Sequence, residues 1–269
     1  MNLQIFQVDA FTSEPFHGNP AAVVPLDAWL PDETMLGIAA ENNLAETAFF
    51  VKRGDRFDLR WFTPTVEMDL CGHATLATAF VLYKELGFDA PEIRFDTKSG
   101  ELRVERDGEL LVLDFPARPP QPLETPEGLA EALSAEPSDV LKSRDYLAVF
   151  PSEAHVAALR PDFRAIIDLG VHAVIVTAPG DSSDFVSRFF APSVGVDEDP
   201  VTGSAHCTLV PYWAERLGKT ELYARQISSR GGELFCELRG DRVRMAGNAV
   251  MYMQGEIYVD AASEKSVGA

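Results

Sequence analysis

The chain contains few cysteines, three in 269 residues. A small domain that depends on disulfides has a high and usually even number of cysteines, so this sequence excludes a disulfide framework as the basis of the fold. A chain of this length buries enough apolar surface to fold without a disulfide or a structural metal. The low cysteine content suits a reducing compartment, and we expect a cytoplasmic protein.

Basic residues are also scarce relative to acidic ones. Lys and Arg number 23 against 42 Asp and Glu, so the net charge is −19. Such a field repels nucleic acids and acidic membrane surfaces, and we expect neither as a partner. No run of about 18 uncharged apolar residues predicts a membrane span. The N-terminus lacks the basic and apolar regions of a secretory signal. The same negative field repels a small carboxylate, so an acidic substrate must be held by local donors.

The segments that are present alternate between strands and helices. Apolar periodicity predicts strands at 3–10, 21–24, 46–52, 57–62, 92–97, 100–106 and 109–115, and helices at 31–42 and 72–86. Beyond a proline-rich stretch at 116–126 the pattern resumes, with short helical signals at 128–133 and 136–141 and helices at 153–159 and 204–217. Further strands are predicted at 145–150, 171–177, 184–190, 226–229, 233–239, 242–246 and 250–258.

This organisation indicates a duplicated α+β fold with one clear helix in each half. The proline-rich stretch predicts a domain boundary, which divides the chain into 1–117 and 118–269. The strand near 250–260 is assigned to either unit, since it can also pack with the first domain. Each clear helix follows a loop rich in reactive residue types, Leu70–Thr75 in the first half and Asp199–Cys207 in the second.

Two such helix starts facing one cleft would form an anion site. The first turn of a helix has unpaired N–H groups and a partial positive charge, and Gly72 and Gly203 let a ligand approach this backbone closely. The simpler interpretation is that both glycines serve tight turns. The presence of two similar motifs favours the anion site.

Three ionisable residues are candidates for the chemistry. His73 lies in the first turn of its helix, where the dipole disfavours the imidazolium, so we expect a neutral ring. Asp199 precedes a proline, a pattern that is also common in plain turns. Glu46 precedes an apolar strand, and an apolar environment favours the protonated acid, which suits proton exchange near neutral pH. Each residue also has an ordinary structural interpretation.

A metal or nucleotide cofactor is not indicated. Cys71, His73, His206 and Cys207 are metal-ligand types, but their spacings do not match those of zinc sites, and neighbouring helical residues point about 100° apart. Cys236 lies in a predicted strand and is expected to pack in the core. The sequence has no glycine-rich dinucleotide fingerprint and no phosphate loop.

Six motifs together resemble the PhzF-like (phenazine biosynthesis-like) family: 16–24, 42–50, 69–75, 197–207, 229–232 and 243–248. They occur in the family's order and span about 3–258. The resemblance implies the diaminopimelate epimerase-like fold, in which two similar domains each curl a mixed, mostly antiparallel sheet around a central helix, with the active site in the cleft between them. It also implies an isomerase without metal or organic cofactor, and dimers are common in the family.

The resemblance further assigns roles to individual residues. The family's proton-transferring glutamate matches Glu46, and its histidine and aspartate match His73 and Asp199. These three are the expected catalytic residues, acting on a small carboxylate-bearing substrate. The residues expected to bind that substrate are Asn19, Gly72, His73, Ala74, Asp199, Gly203 and Ser204.

Two alternatives remain open at this stage. Related racemases and epimerases use two opposed cysteines, of which Cys71 matches the first, whereas Thr202 stands at the position of the second. A racemase, epimerase or dehydratase that pairs Cys71 with Glu46 as acid and base is therefore the alternative enzyme. A protein that binds a small acid without chemistry is the alternative from another class.

Overall fold

The computed structural model describes residues 1–259, in which β-strands predominate. The strands are β1 (Asn2–Ala10), β2 (Asn19–Leu26), β3 (Glu46–Arg53), β4 (Arg56–Phe62), β5 (Glu67–Met68), β6 (Glu92–Thr97), β7 (Gly100–Asp107), β8 (Leu110–Pro116), β9 (Gln121–Pro122), β10 (Asp139–Lys142), β11 (Tyr146–Val149), β12 (Val174–Pro179), β13 (Phe185–Phe190), β14 (Glu221–Gln226), β15 (Gly232–Arg239), β16 (Arg242–Gly247) and β17 (Ala249–Tyr258). The helices are α1 (Asp32–Asn42), α2 (Gly72–Phe80), α3 (Leu129–Leu133), α4 (Glu153–Ala158), α5 (Phe163–Asp168) and α6 (Gly203–Leu217).

The strand pairing of the first half is repeated in the second. Hydrogen bonds link β17-β1-β2-β3-β4-β6-β7-β8, with β5 beside β4, and separately link β9-β10-β11-β12-β13-β14-β15-β16. In each series the third strand pairs parallel with the fourth and the fifth with the sixth, and the other pairs are antiparallel. Antiparallel pairing of β8 with β16 joins the two series. The mixed α+β fold class predicted from the sequence is confirmed.

The central helices are α2 and α6. Every residue of α2 from His73 to Ala79 is buried, as is every residue of α6 from Ala205 to Ala214. A helix that is buried on all sides must be surrounded by other elements, and both helices belong to one continuous apolar core with their sheets. As predicted, α6 ends at Gly218, which adopts a left-handed conformation with φ of 65°. A π-helical segment, Val81–Glu85, follows α2.

The short helices cover the outer faces of the strands. A second apolar cluster forms where α1 packs beside β3 and β4, and a third where α3, α4 and α5 cover the strands from β10 to β13. Within residues 1–259, no helix has the length and apolar character required to cross a membrane. The end of the second predicted domain, 260–269, lies outside the described residues.

Three local predictions were wrong. The helical signal at 136–141 is instead strand β10, because Pro137 opposes helix growth and the buried side chains of Val140 and Leu141 pair with β11. The strand predicted at 226–229 ends where it was expected to begin, since β14 stops at Gln226. Helix α5 was missed; its start is capped by the Asp162 carboxylate, which accepts hydrogen bonds from two backbone amides.

Candidate functional site

The N-termini of α2 and α6 meet at a cleft between the two halves. A Cβ atom placed on Gly72 would lie 3.7 Å from the Cα atom of Gly203. Neither helix start has a side-chain cap, so the amides of both first turns are available to a ligand. The cleft contains about 920 Å³ of space that opens to solvent. Two motifs that are about 130 residues apart in sequence therefore form one potential anion site.

Glu46, Cys71 and His73 form a cluster on one wall of this cleft. The Glu46 carboxylate lies at the start of β3, with its Oε2 atom 3.1 Å from Nε2 of His73. This approach is a close polar contact and not an aligned hydrogen bond, because Nε2 has no partner of hydrogen-bond geometry. On the other side of the ring, Nδ1 lies 3.5 Å from the Cys71 sulfur. The imidazole thus connects a carboxylate with a thiol.

The charge states within this cluster are coupled. Burial lowers the pKa of His73, but ionised Cys71 and Glu46 raise it by more, so that the pKa of His73 lies well above its ordinary value. The neutral ring expected from the helix dipole stays a prediction, because the largest of these raising effects requires an ionised Cys71 thiol. Burial, followed by the charge of Glu46, raises the pKa of the Cys71 thiol. A protonated thiol removes the largest effect that favours the imidazolium, so the protonation of Cys71 and that of His73 are linked.

Asn19 connects this cluster to the second half of the chain. Its side-chain amide is fully buried and lies 3.1 Å from Nδ1 of His73. The same NH₂ group donates to Oδ1 of Asp199 at 2.8 Å and to the Val201 carbonyl at 2.9 Å. Since it contacts His73 in the first turn of α2 and two acceptors just before α6, Asn19 holds the two walls of the cleft in a fixed relation.

Asp199 is held by further polar contacts on the opposite wall. Thr202 donates its hydroxyl to Oδ2, and the Gln226 side chain donates to the Asp199 carbonyl at 2.7 Å. Burial raises the pKa of Asp199 to about 6, against the lowering effects of His73 and of the hydrogen bonds from Thr202 and Asn19. This carboxylate therefore changes charge close to neutral pH.

The position of Asn19 depends on a contact between chain segments that are distant in sequence. Gly18 has a φ of 65°, and a Cβ atom there would lie 2.2 Å from the Ala10 carbonyl oxygen. Arg230 donates to the Gly18 carbonyl at 2.8 Å and forms an ion pair with buried Asp9 at 2.8 Å. The motif at 229–232 therefore supports the one at 16–24, and Asn19 is fixed directly beside this contact.

The structure places the remaining predicted residues as follows. Gly72, Gly203 and Ser204 line the cleft together with Glu46, Cys71, His73 and Asp199. Ala74 is fully buried in the first turn of α2, where its backbone amide is part of the uncapped helix start. Asn19 lies behind the cleft surface and contacts His73 and Asp199.

Three cationic or ionisable side chains in the cleft were not predicted: Arg118, Arg144 and His172. Arg144 lies 3.2 Å from Asp145 and its Nη2 atom is 3.4 Å from the Ser204 hydroxyl. His172 contacts the other oxygen of Asp145 at 2.8 Å. None of the three lies in a recognisable motif. They add side-chain cations to the local donors that the negative field requires for an acidic substrate.

The potential metal ligands are divided between two environments. His206 is fully buried, donates to the Thr202 carbonyl at 2.8 Å and has a pKa that burial lowers to about 4. Burial also raises the pKa of Cys207 to about 11. Glu46, Cys71 and His73 offer ligand atoms within 4.8 Å of one another, an arrangement that a metal ion could use. Their mutual contacts also account for the cluster as an acid–base group.

Comparisons with known proteins identify the family. The family model described as "Phenazine biosynthesis-like protein" matches residues 8–255. The chain is 57% identical over 259 residues to a protein of Pseudomonas aeruginosa named as an uncharacterized isomerase, covering 96% of this chain and 100% of that protein. A crystal structure of a PhzF family protein from Enterococcus faecalis has a TM-score of 0.95 and 47% identity, covering 96% of this chain and 100% of that one. The chain belongs to the phenazine biosynthesis-like family.

A more distant likeness concerns the fold alone. The structure of a hydroxyproline epimerase from Agrobacterium vitis has a TM-score of 0.59 at 10% identity, covering 95% of this chain and 92% of that one. The predicted epimerase-like fold is therefore confirmed.

Proposed function

We propose that the protein is a cofactor-independent isomerase that moves a proton between two positions of a small carboxylic acid. Glu46 is the group that removes and returns the proton. The observation that supports this role is the contact of 3.1 Å between the Glu46 carboxylate and His73 at the wall of the cleft. Relatives that are named isomerases support the class of reaction.

In this proposal the substrate carboxylate binds between the starts of α2 and α6. The first-turn amides supply donors and a partial positive charge without a side-chain competitor. Arg144 adds a cation near Ser204 on the same side. Apolar side chains on the cleft walls surround the hydrocarbon part of the substrate: Met68, Leu70, Phe115, Phe189, Ala191 and Val196.

The proton transfer follows from the charges around Glu46. The Glu46 carboxylate takes a proton from a substrate carbon that is activated by the substrate's own carboxylate or by a neighbouring double bond. It then returns the proton to another carbon on the same face of the substrate. His73 stays beside the Glu46 carboxylate and orients it, Asn19 holds the ring, and Asp199 in turn holds Asn19. General acid–base catalysis of this kind contributes about 10²–10⁴-fold in rate. The reaction has no net change in protons.

The test combines a glutamine variant with a deuterium label. Wild-type protein is incubated in deuterium oxide with a panel of small acids: amino acids, dicarboxylates and cyclic unsaturated acids. Mass spectrometry then identifies those that exchange carbon-bound hydrogen. We expect Glu46→Gln to lower exchange of the active acid by about 10²-fold or more. Glu41→Gln, the same change at an exposed glutamate, is the control. Full exchange by Glu46→Gln would refute the role of Glu46.

The racemase alternative has one observation in its favour, namely that the Cys71 thiol lies in the same cluster as Glu46. Against it, burial raises the pKa of Cys71, and Thr202 occupies the place of a second thiol. The binding-protein alternative predicts that a panel acid binds without exchange. Inversion at Cα of an amino acid, detected on a chiral column, would support the racemase.

Three further properties belong to this proposal. The chain consists of two domains, 1–117 and 118–269, with the strand β17 packed on the first and the catalytic cleft between them; the repeated strand pairing supports this division. The protein acts in the cytoplasm, which the three free cysteines support. It forms a homodimer through β17, whose free edge carries exposed Tyr252, Met253 and Tyr258. Sedimentation analysis at several concentrations tests the last point, and a monomer throughout would contradict it.

A further inference from the structure

Arg118 differs from every other arginine that the structure describes. Most arginines in residues 1–259 have a carboxylate within ion-pair distance. Arg106 and Arg160 do not, but Arg106 stacks on Tyr83 at 4.9 Å and Arg160 donates to the carbonyls at the end of α4. Over the same residues, the Arg118 guanidinium contacts neither a carboxylate, nor a carbonyl, nor an aromatic ring.

The backbone at Arg118 is nonetheless firmly held. In a regular helix the Cys207 carbonyl would accept the N–H group of residue 211, but Pro211 has no N–H to donate. The Arg118 N–H takes its place, at 2.8 Å from the Cys207 oxygen. The amide of Ala117 also donates, to the Asp241 carbonyl at 2.8 Å. The proline inside α6 thus creates the acceptor that attaches this segment to the helix.

This attachment places Arg118 in the cleft, one helical turn beyond the start of α6. Both Arg118 and Arg144 line the cleft and lie near enough to Cys207 for their charges to oppose the effect of burial on its thiol. Arg144 reaches Ser204, at the helix start, and is partly neutralised by Asp145. Arg144 therefore adjoins the amides that would hold one carboxylate, and Arg118 lies further along the helix.

We infer that Arg118 binds a second anionic group of the substrate, which makes the substrate a small dianion. The inference rests on the proposed function, because it assumes that the first carboxylate lies between the helix starts. A guanidinium binds a carboxylate or a phosphate through two parallel hydrogen bonds. In a protein with a net charge of −19, an arginine that lacks an internal carboxylate partner is suited to an external anion. The substrate thus bridges from the helix starts to Arg118.

The test measures the binding of acids that differ only in the second charge. Titration calorimetry compares succinate, glutarate and adipate with butyrate, valerate and hexanoate, which have the same numbers of carbons. We expect at least one dicarboxylate to bind wild-type protein about ten-fold or more tightly than its monocarboxylate partner. The phosphonate 3-phosphonopropionate shows whether the second group is of the carboxylate or the phosphate type.

Arg118→Gln should remove this preference. The affinity for the dicarboxylate should fall about ten-fold, to that of the monocarboxylate, whereas the monocarboxylate affinity stays within about two-fold. Arg160→Gln is the matched control, because it also removes an arginine without a carboxylate partner, outside the cleft. Circular dichroism and thermal unfolding establish that both variants are folded.

The results separate this inference from the proposed function. Equal affinities for both classes of acid in wild-type protein, or equal losses for both in Arg118→Gln, would overturn the second anion site, and so would a lack of dicarboxylate binding. Glu46→Gln should keep the preference for the dicarboxylate while proton exchange is lost. With the active acid, Arg118→Gln should raise KM and leave kcat within about three-fold. If wild-type protein exchanges hydrogen in none of the acids, the proposed reaction is refuted, whereas the second anion site is still judged by the binding data.

Discussion

Replacement of Asn19 by alanine tests the connection between the two walls of the cleft. The NH₂ group of Asn19 contacts Nδ1 of His73 at 3.1 Å and donates to Oδ1 of Asp199 at 2.8 Å and to the Val201 carbonyl at 2.9 Å. Because Asn19 is fully buried, water cannot replace these contacts without entering the core. Asn19→Ala would take this donor from the carbonyl of buried Val201 and from the half-buried Asp199 carboxylate.

The size of the effect follows from those two acceptors. A buried polar group that loses its partner costs about 1–3 kcal/mol, and a charged one costs more. For the Asp199 carboxylate and the Val201 carbonyl together we expect a loss of about 3–5 kcal/mol in the free energy of unfolding. At about 2–4 °C per kcal/mol for a chain of this size, Tm should fall by about 6–20 °C.

Scanning calorimetry or fluorescence-monitored unfolding measures this change, with Asn2→Ala as the exposed control. A fall in Tm of less than about 2 °C would refute the bridging role.

Asn19→Asp adds a charge test, since the new carboxylate would face Asp199. Repulsion raises the pKa of this pair in the folded state. The stability of Asn19→Asp relative to wild type is therefore retained at low pH and lost as pH rises through those pKa values. Greater relative stability at pH 8 than at pH 5 would contradict the geometry.

Three other outcomes are expected. With ionised Asp199 as the active form, its pKa of about 6 makes kcat/KM rise about ten-fold between pH 5 and pH 7. Asp199→Asn should remove this step from the pH–rate profile. A flat profile in wild-type protein would contradict this role of Asp199. Cys71→Ser should keep proton exchange within about three-fold because burial keeps the thiol protonated, whereas a loss of about 10²-fold would favour the pair of Cys71 and Glu46. Dialysis against EDTA, followed by metal analysis, should leave the exchange rate unchanged, and loss that a divalent ion restores would assign the Glu46 cluster to a metal.

Local patterns were sufficient to predict the two central helices. Their starts follow loops of distinct composition, the second ends at Gly218, and their apolar residues occupy all sides. The strand β10 was not predictable in the same way, because its few residues lack a full period and its structure depends on pairing with β11. The resemblance to a family supplied the fold and the candidate residues, which periodicity alone did not.

The contacts within the site could not be derived from local sequence. Asn19 and Asp199 are 180 residues apart, and no pattern near either one indicates that they meet. Arg118 lies in a proline-rich stretch that suggested only a boundary, and its place in the cleft depends on Pro211 in a distant helix. The contacts of His73 with Glu46 and Cys71 were likewise not indicated by the helix start alone. Such effects arise from tertiary contacts.

The most direct test of the account measures the rate at which Glu46→Gln catalyses deuterium incorporation into the active acid, alongside the affinity of the same variant for that acid. We expect exchange to fall by about 10²-fold or more while the dissociation constant stays within about three-fold, because the helix starts and Arg144, which we propose to bind the acid, are unchanged. Exchange at the wild-type rate in folded Glu46→Gln would contradict it.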